Sequence, residues 1–113
     1  MKAVNKRNNF VLADFVEVAA SLEERLKGLL GRKELPPGRG LLIKKCNGIH
    51  MLFMRFAIDA VFLTKEGEVL YILRNFKPWR ISKIVRGAYY ALELPAGALG
   101  DNVKIGDIID FVI

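Results

Sequence analysis

The sequence predicts an α+β fold: a small, mainly antiparallel, β-barrel-like domain with one covering α-helix. Three observations carry that reading. Short runs rich in Val, Ile, Leu and Phe recur along the chain, separated by Gly, Pro and Asn clusters. Only the stretch 21–31 shows helical spacing of leucines. At 113 residues, 52% hydrophobic and 27% charged, residues 1–113 fit one domain with its own core and no need of disulfides or a structural metal.

Taken in order, Phe10–Ala19 is rich in Val and Phe and predicts one strand, with a bend at Ala13-Asp14. Ser21-x-x-Glu24 is a capping box that opens a helix over 21–31. Leu22, Leu26, Leu29 and Leu30 then share a face, and Gly31 ends it. Gly28 costs that helix stability, so another segment is expected to pass close by. Pro36-Pro37-Gly38 is a turn, and Leu41-Leu42-Ile43 a strand. Ala57–Thr64 and Val69–Leu73 form a hairpin about Lys65-Glu66-Gly67-Glu68, placed at the sheet centre because both arms are apolar. Asn75–Arg86 is a polar loop with Pro78. Ala88–Leu94 is a strand ending at Pro95-Ala96-Gly97, and Ile108–Val112 a last strand.

A lone cysteine, Cys46, with no CxxC pair rules out zinc-ribbon and thioredoxin readings and suits a reducing compartment. Val18-Ala19-Ala20 resembles a cleavage site, but Asp14 and Glu17 interrupt the apolar region a signal peptide requires. No apolar run is long enough to span a bilayer, so a cytoplasmic, non-membrane protein is expected. The net charge of +6 is unevenly placed. No acid lies between Glu68 and Glu93, where Arg74, Lys77, Arg80, Lys83 and Arg86 recur at every third residue. A second acid-free window, Leu35 to Ile58, carries Arg39, Lys44, Lys45 and Arg55. Both favour an anionic partner.

Several rare residues agree jointly with one known family. Arg25-x-x-Gly28-Leu29-Leu30-x-Arg32 and Gly40-Leu41-Leu42-Ile43 come first. Cys46-Asn47-Gly48-Ile49-His50-x-x-x-Met54-Arg55-Phe56-x-Ile58-Asp59-x-Val61-Phe62-Leu63 follows, then Lys77-Pro78-Trp79-Arg80, Leu92-Glu93-Leu94-Pro95-Ala96-Gly97 and Gly106-Asp107. From about Ser21 onward the chain resembles the DUF192 (UPF0127) family. Met51 stands where that family usually has threonine, and Ala57 where many members have proline. The resemblance implies a compact, mainly β domain with one helix; the family being one of unknown function, it points to no particular activity.

Polar groups with chemistry gather where the chain is most hydrophobic, in Cys46–Leu63. The preferred expectation is a pocket around Cys46, His50, Met54, Arg55, Asp59, Trp79 and Glu93 that binds a small anionic ligand or an extended segment, with no cofactor and no metal. His50, Asp59 and Glu93 are expected to share one polar cluster, because isolated buried polar groups are disfavoured. Asp59, on an apolar strand, calls for a partner, either Arg55, His50 or backbone amides. A hydrolase using Cys46, His50, Asp59 and Glu93 is one alternative. The other is a single-stranded nucleic-acid surface of Arg74, Phe76, Lys77, Trp79, Arg80, Lys83 and Arg86. Against the latter, Pro78 is read as a turn that tucks Trp79 inward as core.

Overall fold

The computed structural model describes residues 1–113. Eight strands form two sheets, with one short helix between the third and fourth strands. In chain order they are β1 (Lys2–Asn5), β2 (Val11–Ala13), β3 (Phe15–Ala19), α1 (Leu22–Lys27), β4 (Arg39–Lys44), β5 (Ile58–Leu63), β6 (Val69–Phe76), β7 (Tyr90–Pro95) and β8 (Ile109–Val112). The larger sheet runs β3-β4-β7-β5-β6 and the smaller β2-β1-β8. Only β3 and β4 pair in parallel. No closed barrel forms, because β3 and β6 end the larger sheet unpaired with each other.

Beyond the barrel-like closure, three further expectations change. The single strand foreseen over 10–19 breaks at Asp14 into β2 and β3, which belong to different sheets. The hairpin is present with its foreseen turn, but β7 is central and β6 lies at the edge. β5 is paired along both edges, by β7 and β6, and all six of its residues are buried because both faces of the sheet are covered. The helix keeps its capping box, with Ser21 and Glu24 each accepting from the other's backbone amide, yet none of its six residues is buried. Leu22 and Leu26 are exposed, and only Leu29, just past its end, is in the core. A helix of six residues is too short for a continuous apolar stripe to dock.

The larger sheet is apolar on both faces, which is why its strands show little alternation. Val61, Leu63, Leu42, Leu92 and Leu94 pack toward the smaller sheet with Ala3, Val103 and Ile109. Ile58, Ala60, Phe62, Leu41, Ile43 and Ala91 pack on the opposite face with Leu29, Ile49, Met51 and Val85. The hairpin tip locks the two sheets together: Val69 N–H donates to the Asp107 carbonyl, and Ile109 N–H to that of Gly67. Gly67, at φ +90°, is glycine because a Cβ there would meet the Ile109 carbonyl oxygen. The buried Asp107 carboxylate accepts from Asn5, Arg7 and the Lys104 amide, tying β1 to the turn before β8. The Arg7 guanidinium hydrogen-bonded to it holds its pKa down at about 2.

Candidate functional site

The capping box starts α1 and Gly28 stops it, at φ +49°. A Cβ on Gly28 would stand 3.8 Å from Ile43 Cδ1 and 3.9 Å from Glu93 Oε1, ordinary van der Waals contact, so the positive φ and not the close approach expected there is what calls for glycine. Residues 25–30 thereby form one wall of a cleft over the sheet. Cys46, Gly48–Met51 and Met54 form the other, and Ile43 and Glu93, on β4 and β7, make the floor. The second wall is held rigidly. Cys46 N–H donates to Tyr89 O, Met51 N–H to Arg80 O, Ser82 N–H to Ile49 O and Val85 N–H to Asn47 O, zipping loop 46–56 onto loop 79–89. The cleft has a volume of about 80 Å³.

Glu93 lies at the base, 5% exposed, with no protein group donating to its carboxylate. Burial pushes its pKa up to about 7, against a downward pull from Arg32. In the wall above, Arg25 Nε–H is buried without an acceptor. The Cys46 thiol donates to Gly48 O at 3.2 Å, and burial is the main cause of its raised pKa. It is a neutral thiol at physiological pH, not a thiolate nucleophile.

Of the seven residues expected to share a pocket, Cys46, His50, Met54 and Glu93 line this cleft. His50 sits exposed at its edge, with Nδ1 accepting from Leu52 N–H at 3.3 Å. Arg55, Asp59 and Trp79 do not line it. Asp59 is the main correction. Register pairs it with Leu94 and Ala60 with Glu93, so the two carboxylates project from opposite faces of one sheet. Asp59 accepts from Asn75 N–H at 2.9 Å and Leu99 N–H at 3.1 Å, the backbone-amide role weighed for it but with later segments as donors. The expected His50–Asp59–Glu93 cluster is therefore absent, and so are the Cys46–His50–Asp59 triad and an Asp59–Glu93 acid–base pair. No three of the His, Cys, Asp and Glu side chains come together as a ligand set.

Trp79 is the second correction. It is 61% exposed, where a core position was foreseen, and stacks edge-on against Phe53, itself 71% exposed, with centroids 5.0 Å apart. Both residues have positive φ, +70° and +63°. For bulky side chains that region costs roughly 1–2 kcal/mol each, a strain sequence patterns do not announce. Two further residues went unassigned in the sequence: Arg25, visible only as part of an Arg-x-x-Gly motif, and Phe53, hidden in an apolar run.

The family model DUF192, "Uncharacterized ACR, COG1430", matches residues 3–111. A UPF0127 protein of Thermococcus sibiricus is 31% identical over 97% of this chain and 74% of its own length. A UPF0127 protein of Pyrococcus abyssi is 31% identical over 86% of each chain. Among solved structures, a protein of unknown function from Novosphingobium aromaticivorans superposes with a TM-score of 0.81 at 21% identity, covering 97% of this chain and 82% of that one, a likeness of fold. On these matches the chain belongs to the DUF192 (UPF0127) family.

Proposed function

We propose that the protein is a binding module whose cleft receives an amide group of an extended peptide segment. One observation carries this reading: Glu93, a nearly buried carboxylate to which no protein group donates, and Arg25 Nε–H, a buried donor without an acceptor, line the same cleft. An amide supplies both complements, its N–H to the carboxylate and its C=O to the guanidinium, and unmade buried hydrogen bonds are what a ligand gains most from completing. A small anion fits poorly, because it would sit against Glu93, which is about half ionised at neutral pH. The size supports the tip of a larger molecule rather than a whole one, since small-molecule pockets run to roughly 300–1,000 Å³. Leu26, in the wall, is exposed, and Ile84, also exposed, lies beside Gly48, so apolar side chains flank the mouth. Met51 and Met54 add a soft lining that adapts to varied apolar groups.

A titration with N-acetyl-leucine N-methylamide, followed by NMR, tests this. The Arg25 Nε–H resonance and the Gly28 and Met54 amides should shift together, with a dissociation constant of about millimolar order for so small a probe. Arg25→Met or Glu93→Leu should each weaken binding about tenfold. Stronger shifts with propionate than with the amide would point back to an anion site and refute the reading.

A further inference from the structure

A second site lies apart from the cleft and rests on different residues. We propose that loop 74–80 and Phe53 bind single-stranded nucleic acid, with a phosphate among Arg74, Lys77 and Arg80 and bases on the Trp79 and Phe53 rings. Arg74, Lys77 and Arg80, with Asn75 and Phe76, line one pocket of about 170 Å³. Arg74 is fixed in place by neutral partners: Nε–H donates to Gly100 O at 3.1 Å and Nη2–H to Val103 O at 3.0 Å. Its charge is therefore positioned without an ion pair of its own, the ion pairs of the molecule being Arg7–Asp107 and Arg32–Glu17. No acid lies in the sequence between Glu68 and Glu93; the acids that the fold brings near are Asp59, whose carboxylate accepts from Asn75 N–H, and Asp101, on the loop that holds Arg74.

The rings stand beside this charge. Trp79 is the chain neighbour of Arg80 and two residues from Lys77. Its N–H donates to Met51 O at 2.8 Å, so a hydrogen-bonded frame, not a loose loop, presents the pair to solvent. Both Phe53 and Trp79 have left-handed backbone and exposed rings, where burial would be the default for such side chains. A cationic pocket next to exposed aromatic rings is the combination that tracks a phosphate backbone while stacking its bases. Duplexes fit less well, since their bases are already stacked and out of reach. An anionic membrane is also disfavoured. Lipid insertion calls for an apolar wedge with the cations behind it, whereas here Lys77 and Arg80 flank the ring in the chain and converge on a pocket for a single anion.

Trp79 is the only tryptophan, so its fluorescence reports on this face directly. Titration with oligo-dT of about a dozen nucleotides should quench and saturate the emission. The logarithm of the affinity should fall with the logarithm of salt with a slope of about −0.7, as expected for one neutralised phosphate on a single strand. Lys77→Glu with Arg80→Glu should abolish binding. In anisotropy with labelled oligo-dT, Trp79→Ala should weaken it about tenfold or more while Trp79→Phe retains it. Thermal melts should be unchanged in all three variants, because these side chains are exposed. Emission unaltered by oligo-dT at about 0.1 M salt would overturn the proposal. So would a blue shift on phosphatidylserine vesicles without quenching by oligo-dT, which would make the face a lipid-docking surface. Amide binding in the cleft should survive the Lys77→Glu, Arg80→Glu change, keeping failure of this site separate from failure of the cleft.

Discussion

Asp59→Ala is expected to lower stability by about 3 kcal/mol or more in urea denaturation, a large share of a small domain's total. The carboxylate is 1% exposed and each of its oxygens accepts one backbone amide, from Asn75 at the end of β6 and from Leu99 in the loop after β7. Alanine leaves both N–H groups without a partner, at roughly 1–3 kcal/mol apiece. Asp59→Asn should recover part of the loss, because its amide offers one acceptor oxygen where two are needed. A change below about 0.5 kcal/mol, the range of ordinary surface substitutions, would show that the clamp is not holding these segments.

Glu93→Gln is expected to act in the opposite direction. The wild-type carboxyl titrates at about 7 in the folded chain, against 4.5 as its ordinary value. A raised carboxyl pKa means the folded state holds the proton more tightly. The stability it confers is fully present below about pH 4.5 and is lost as pH rises through 7. The difference corresponds to a loss on the order of 3 kcal/mol. Glutamine, of nearly the same shape and never charged, should match wild type near pH 5 and exceed it by about 2–3 kcal/mol at pH 8. The window suits the measurement. Asp107 and Glu17, whose arginine partners lower their pKa, lose their contributions only at more acidic pH. The Cys46 thiol stays protonated, its pKa being raised above the ordinary 9.0. Equal pH profiles for the two proteins between 5 and 8 would contradict the burial of an unpaired carboxylate. A binding group that destabilises its own empty fold is a common trade at functional sites.

The contrast between these carboxylates marks how far the sequence could be read. Glu66-Gly67 between two β-rich runs fixes a hairpin locally, and Ser21-x-x-Glu24 fixes a helix start, because each depends on neighbours in the chain. The apolar context of Asp59 and Glu93 correctly signals that both are buried. Which face each takes is set by the register Asp59–Leu94, and strands buried on both sides carry no alternation from which to read it. Residues Lys2–Asn5 show the same limit: β1 exists because β2 and β8 flank it, a pairing that spans the whole chain. Trp79 escaped prediction for a different reason. Composition favours burying a tryptophan, and nothing in the local sequence signals the left-handed backbone and exposed ring found there and at Phe53. The cleft was half legible. Cys46, His50, Met54 and Glu93 stand out in the sequence, but Arg25, which gives the site its unpartnered buried donor, sits on a helix whose sequence signal is its leucines.

The measurement that bears most directly on the cleft is the titration of the Glu93 carboxyl carbon by NMR, with and without N-acetyl-leucine N-methylamide. In the free protein the midpoint should lie at about 7. Saturating amide should lower it, because an N–H donated to the carboxylate favours its charged form. A midpoint in the ordinary carboxylate range in the free protein, or one that the amide leaves unmoved, would contradict Glu93 as the open acceptor of a binding site.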